Sequence, residues 1–142
     1  MTSANVWDLL EDSTLYAHWS LNPYIITFDN QGGTGETSVM VDYEAAFPAI
    51  SLPIRVGYTF LGYYDAVVGG TQYYDADMSS TMTWSRTEGI TLYAHWEANE
   101  YTVSFNTNQG SGAQTVVTAT YGEEMPEITV APARAGYIFL GY

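Results

Sequence analysis

The sequence predicts a mainly β chain of the α+β kind, built of small tandem modules, one complete and two partial. Three observations lead there. TLYAHW occurs at Thr14–Trp19 and again, unchanged, at Thr91–Trp96, an offset of 77 residues that Trp7 and Trp84, and Tyr24 and Tyr101, also share. GYTFLGY at Gly57–Tyr63 returns as GYIFLGY at Gly136–Tyr142, offset by 79. A fixed period with a small insertion marks an array of one unit. Within the unit, apolar residues alternate with period two, and no segment keeps a helical period over three turns.

The elements of the middle unit follow in order. Tyr24–Phe28 places Tyr24, Ile26 and Phe28 on one face of a strand. Asp29–Gly35 is rich in turn formers and reads as a hairpin loop. Thr37–Tyr43 is the returning strand, with Val39, Val41 and Tyr43 on one face. Glu44–Phe47 can make one helical turn, stopped by Pro48, and Pro48–Pro53 is a connector. Gly57–Tyr64 is an aromatic strand, Val67–Gly70 a turn, Thr71–Tyr74 a short strand and Asp75–Ser80 a loop. Met82–Arg86 reads as extended. Thr91–Trp96 closes the unit, with Leu92, Ala94 and Trp96 on one side.

The two ends are out of phase with the repeat. Met1 aligns with Met78 and Tyr142 with Tyr63. The predicted division is therefore the end of one unit at 1–20, a complete module at 21–98 and the start of another at 99–142. Either the chain is a piece of a longer array, or its part-units are completed by neighbours. Joined head to tail, the two parts still lack a counterpart of Tyr64–Asp77.

Sixteen acids stand against three Arg and no Lys, a net charge of −13. That disfavours nucleic acid, whose phosphates require a basic face, and anionic membrane surfaces. It fits a soluble, self-repelling surface. With no cysteine there is no disulfide framework, thiolate metal site or Cys nucleophile. Without Lys, an intramolecular Lys–Asn isopeptide staple is impossible. No stretch reaches the ~18 apolar residues of a membrane span. Met1–Ser20 lacks the basic start of a signal peptide and carries Asp8, Glu11 and Asp12.

The order of motifs resembles a known family. A Tyr-x-hydrophobic-x-Phe strand is followed by a Gly-rich loop and Val-x-Val-x-Tyr. Then come Pro53-x-Arg55-x-GYTFLGYYD, GGTQYY at Gly69–Tyr74, Thr83-Trp84 and TLYAHW. This is similar to the internalin-type B repeat, also called the Listeria–Bacteroides repeat, and the resemblance covers essentially the whole chain. It implies a small β-grasp-like module, a mixed sheet partly wrapped over a short helix. It also implies tandem copies in large surface or secreted proteins of bacteria and some archaea, acting as stalks, spacers or adhesive segments. The absence of Lys puts binding to acidic polysaccharides in doubt.

Sites of chemistry are not evident. His18 and His95 recur at one repeat position, but each is one His beside a Trp with no further ligand nearby. Asp65, Asp75 and Asp77 lack the spacing of a calcium loop and read as solvated acids, so a chelator is expected to change nothing. The Gly-Gly-Thr runs lack the Lys and helix of a phosphate loop. No Ser–His–Asp spacing suggests a triad. No catalytic, cofactor-binding or metal residue is assigned, and no cofactor is expected. Tyr58, Tyr63, Tyr64, Tyr73 and Tyr74 fit core packing better than a sugar-stacking face.

The expected function is structural: a non-enzymatic repeat of an extracellular or cell-surface stalk or filament, with modules stacked or strand-complemented head to tail. The alternative is an adhesive module binding a glycan or protein through exposed aromatics. The partner is another copy of the chain, or the covalent continuation of an array. The candidate inter-module contacts are Leu15, Ala17 and Trp19 on a closing strand, and Tyr101, Val103 and Phe105 on an opening one.

Overall fold

The computed structural model describes residue 12 and residues 14–142. Trp7 and most of the first part-unit lie outside the described residues. The seven strands are β1 (Pro23–Asp29), β2 (Ser38–Asp42), β3 (Tyr58–Tyr64), β4 (Gln72–Tyr74), β5 (Ile90–Ala98), β6 (Glu100–Ser104) and β7 (Val116–Thr120).

The first five form one sheet in the order β2-β1-β5-β3-β4, and β6 and β7 form a second, two-stranded sheet. All four long strands expected of the middle unit are in the first sheet. β1 and β2 make the hairpin around Asp29–Gly35, with Ile26 opposite Val39. Its loop is closed by the Asp29 carboxylate, which accepts the Gln31 N–H at 3.0 Å, and by left-handed Gln31 and Gly32.

The closing strand sits in the centre of this sheet. β5 runs parallel to β1, with Phe28 opposite Leu92, and antiparallel to β3, with Phe60 opposite Trp96. Two antiparallel neighbours can share a tight hairpin, but a parallel pair needs a long crossover. Here that crossover is everything from β2 to Gly89. β3 carries a bulge at Phe60–Gly62, where Gly62 has φ +140°. A Cβ there would meet the Tyr74 carbonyl and the Gln72 amide.

One face of the sheet makes the core. Ile26 and Phe28 from β1, Val41 from β2, Phe60 and Tyr63 from β3, Tyr74 from β4 and Leu92 and Ala94 from β5 are all buried. Tyr24 lies on the same face, half-buried. Trp84 completes the cluster from outside the sheet, against Phe47 and Tyr24, with ring centroids 5.7 and 6.1 Å away. The aromatic payload offsets the small size of the unit.

The helical turn expected at Glu44–Phe47 does not form, and no helix occurs among the described residues. Glu44 is left-handed, φ +63°, in a turn closed by the Ala45 N–H on the Asp42 carbonyl. The chain then pairs with the Met82–Arg86 segment. Glu44 N–H donates to the Trp84 carbonyl and Trp84 N–H to the Ala45 carbonyl, both at 2.8 Å. Four residues give too few internal bonds to offset helix nucleation. The same residues gain a ladder, and Phe47 gains a seat against Tyr74.

The last repeat copies the opening of the middle one. β6 and β7 pair Val103 with Val117, as β1 and β2 pair Ile26 with Val39. The bridge Thr34–Ile54 returns as Ser111–Ala133. The turn joining the Arg55 carbonyl to Tyr58 N–H returns between Arg134 and Tyr137, at 3.1 Å each time. Gly136–Tyr142, however, forms no strand although its sequence is nearly that of β3. Among the described residues of the last repeat, nothing occupies the place of β5.

Candidate functional site

Two features stand out: the joint between the sheets, and a groove in the last repeat. At the joint, β5 and β6 are separated by Asn99 alone. Each polar group of that residue is engaged. Its N–H donates to the Gly57 carbonyl at 2.9 Å, and its carbonyl accepts the Tyr121 N–H at 2.9 Å. Its side-chain oxygen accepts the Thr59 hydroxyl at 2.6 Å, and its amide approaches the Tyr101 hydroxyl at 3.5 Å. The first sheet thus holds the second through backbone hydrogen bonds on both sides of one residue.

Aromatic packing closes the joint. The Tyr58 and Tyr121 rings meet edge to face with centroids 5.6 Å apart, and the Arg55 guanidinium lies 3.8 Å over the Tyr58 ring. Gly57 has φ +80°, and a Cβ on it would run into the Tyr121 ring. Glycine here serves both the left-handed turn and the close approach. Asn22, Tyr43 and Gly136 stand at the corresponding repeat positions.

The groove lies in the last repeat between β6 and Gly136–Tyr142. Phe105 and Tyr142 have ring centroids 4.6 Å apart, and Phe139 and Tyr142 5.1 Å. In the first sheet, Phe28–Tyr63 and Phe60–Tyr63 stand at 4.8 and 5.1 Å, across a gap that β5 fills. Gly136 and Gly141 have φ +80° and +135°, against +80° and +140° at Gly57 and Gly62. The segment therefore has the backbone shape of β3 without a partner strand.

Beside it is a cleft of about 280 Å3, lined by Thr107, Gly110, Pro132, Arg134 and Phe139 among others. Its counterpart in the middle repeat holds Trp96. That indole donates to the Asn30 carbonyl at 3.0 Å and packs so tightly on Gly33 that no Cβ fits there.

Of the residues expected to make inter-module contacts, Leu15, Ala17 and Trp19 lie on an exposed, unpaired segment, Trp19 at 92 % exposure. Tyr101 and Val103 are on β6, and Phe105 follows its last residue. Tyr101 is half-exposed, while Val103 and Phe105 are half-buried. The structure does not bring these two sets together within one chain. It adds Asn99, Gly57 and Tyr121, which sequence reasoning missed. Their recurrence as Asn22, Gly136 and Tyr43 was the available signal.

The tyrosines divide by role. Tyr63 and Tyr74 are core, and burial pushes both hydroxyls up to about 12, with Glu36 adding to the effect at Tyr63 and Tyr63 at Tyr74. The Tyr63 hydroxyl donates to the Asn30 side-chain oxygen, and that of Tyr74 to the Pro48 carbonyl at 2.9 Å. His95 stacks on Tyr64 at 4.0 Å and contacts the Ala66 carbonyl at 2.9 Å through Nε2. The Asp75 carboxylate accepts the Ser79 hydroxyl and the N–H groups of Ser79 and Asp77, which hold it below the usual carboxylate range. Among the described residues no three His, Asp or Glu side chains converge.

The Listeria-Bacteroides repeat domain matches this chain twice, over residues 24–95 and 101–141. The chain belongs to this family. Both matched stretches open on the first strand of a hairpin, β1 and β6. Curated relatives include a putative membrane protein and a putative Gly-rich membrane protein of Evansella cellulosilytica. They are 36 % and 37 % identical over 96 % and 93 % of this chain. Internalin H of Listeria monocytogenes is 36 % identical over 84 % of it. The chain spans 20 %, 14 % and 20 % of these proteins' own lengths. The Listeria-Bacteroides repeats here are thus similar to parts of much larger proteins.

Proposed function

We propose that these repeats are non-enzymatic structural units of an extracellular or cell-surface protein, joined head to tail into a stiff stalk or filament. On this reading the modules divide at 1–20, 21–98 and 99–142 and are β-grasp-like. The central parallel β1–β5 pair and the segment laid across the sheet support that description. The observation that carries the function is the Asn99 joint. A linker that serves only as a tether is polar, extended and free of contacts. This one is a single residue, hydrogen-bonded on both sides and packed under two tyrosines. The internalin and membrane-protein names of the relatives support placement at a cell surface.

An adhesive reading through exposed aromatics has less support. Tyr63 and Tyr74 are spent in the core, and Tyr101, Tyr121 and Tyr137 gather at the joint and groove rather than on a separate face. The test uses the absence of native cysteine. Spin labels at Val68→Cys and Glu123→Cys report the distance between the two sheets. A stiff joint gives one narrow distance distribution, broadened by Asn99→Gly. A distribution already broad in the parent chain, like that of a flexible tether, overturns the reading.

A further inference from the structure

We propose that the complete module is a mechanical clamp: it resists tension along the array because its first and last strands are loaded in shear. The use of the clamp rests on the stalk reading above, while the clamp itself is a property of one module.

Tension on an array enters a module where its chain begins and leaves where its chain ends. In the middle module those points are Pro23, the first residue of β1, and Ala98, the last of β5. The chain continues on both sides of them, through Asn22 and Asn99. β1 and β5 are hydrogen-bonded neighbours and run parallel. Parallel strands start at the same end of their ladder, so the start of one and the finish of the other lie at opposite ends. Pulling on both therefore drags β1 backwards and β5 forwards, past each other. The rows of the ladder must yield together. Had the first and last strands been antiparallel neighbours, both attachment points would lie at one end and the rows would open one after another.

The sheet suits this loading. The register runs unbroken from Ile26 opposite Ile90 to Asp29 opposite Tyr93. Parallel bonds are evenly spaced, so no row takes the strain alone. The pair lies inside the sheet, with β2 beyond β1 and β3 beyond β5. β2 holds β1 from Pro23 to Thr27, and β3 holds β5 from Tyr93 to Ala98, so neither strand can bend away from a free edge. Gly89 draws the two backbones together where β5 begins, since a Cβ there would stand 2.6 Å from the Ile25 carbonyl oxygen. Ile26 and Leu92 are fully buried and Phe28 nearly so. Water, the competitor for each strained hydrogen bond, is kept from that face.

The crossover from β2 to Gly89 joins the two strands covalently but stays slack until the ladder fails. At the downstream end there is no slack to take up. Asn99 is the single residue between β5 and β6, and its N–H is held by the Gly57 carbonyl at 2.9 Å. Tension passes to the next repeat without first extending a linker.

Optical-trap stretching of the 142-residue chain tests this, with handles on cysteines placed in a sequence that has none. One variant carries Leu21→Cys and Glu97→Cys, beside the start of β1 and the end of β5. The other carries Leu21→Cys and Glu88→Cys, beside the starts of both strands. All three side chains are exposed, so both variants fold as the parent does, which tryptophan fluorescence verifies. The same ladder is sheared in the first and peeled in the second. The sheared module breaks in one step, at a force about two- to fourfold above the peeled one at equal loading rate, because four paired positions yield together rather than in turn. That step lengthens the chain by roughly 21–24 nm, the full extension of Leu21–Glu97 less its folded span. Equal forces in the two directions overturn the proposal, as does a first variant that lengthens in several low-force steps. Asn99 lies outside the loaded span in both variants. A weak ladder therefore refutes the clamp alone, and a flexible joint, read from the spin labels, refutes the stalk reading alone.

Discussion

Gly57→Ala is the sharpest probe of the joint. The substitution acts twice. Alanine at φ +80° costs about 1–2 kcal/mol, because the left-handed region brings Cβ against the following carbonyl. The new methyl also collides with the Tyr121 ring. That ring can swing away, but then the edge contact with Tyr58 goes, about 0.5–1.5 kcal/mol. The Tyr121 N–H bond to Asn99 loosens as well, about 0.5–1.5 kcal/mol. The expected total is about 2–5 kcal/mol, of which roughly half belongs to the joint. Urea unfolding followed by tryptophan fluorescence measures it. Repeating the substitution in a Tyr121→Ala background isolates the coupling, since only the dihedral cost of about 1–2 kcal/mol then remains. Gly136→Ala supplies a control: it has the same φ and nothing within contact of its Cβ. Equal costs at Gly57 with and without Tyr121 refute the joint as described.

Trp84→Ala should destabilise by about 3–5 kcal/mol and Trp96→Ala by less, about 2–3 kcal/mol, because Trp84 is fully buried and Trp96 half-exposed. Denaturant titration of the two variants checks the ranking, and a larger loss at Trp96 contradicts it. Stability should fall as pH rises from about 10 towards 12. Tyr63 and Tyr74 keep their protons in the folded chain up to about 12, while unfolded tyrosine releases its proton near 10, so alkali favours unfolding. Tyr74→Phe should flatten that slope in pH-dependent urea melts, at about 1 kcal/mol of lost hydrogen bonding near neutrality. An unchanged slope counts against the buried, neutral tyrosine.

Much of this fold was legible because strands with one buried face announce themselves in period two. Tyr24–Phe28, Thr37–Tyr43, Gly57–Tyr64 and Thr91–Trp96 needed no partner to be recognised, and each lies in the first sheet. Glu44–Phe47 misled, because two alanines and a glutamate suit a helix locally. The turn that replaces it depends on Trp84, some forty positions away. A hint existed: Gly122 stands at the place of Glu44 in the last repeat, and both are left-handed. Trp84 itself carried no periodic signal, since its burial comes from packing across the sheet face rather than from a strand.

The sequence by itself determined the repeat, the alternating pattern of the four long strands of the middle unit and the glycine turns. These depend on neighbours along the chain, and the last repeat bears that out: Gly136 and Gly141 take the dihedrals of Gly57 and Gly62 with no partner strand present. Only the tertiary structure decided that the closing strand enters the middle of the sheet, parallel to the first. Only it showed that Asn99 locks two sheets, and that the shape of β3 becomes a strand where β5 lies beside it. Ladder hydrogen bonds and inter-sheet contacts join residues dozens of positions apart, and their energy belongs to the pair, so neither partner's local sequence specifies it.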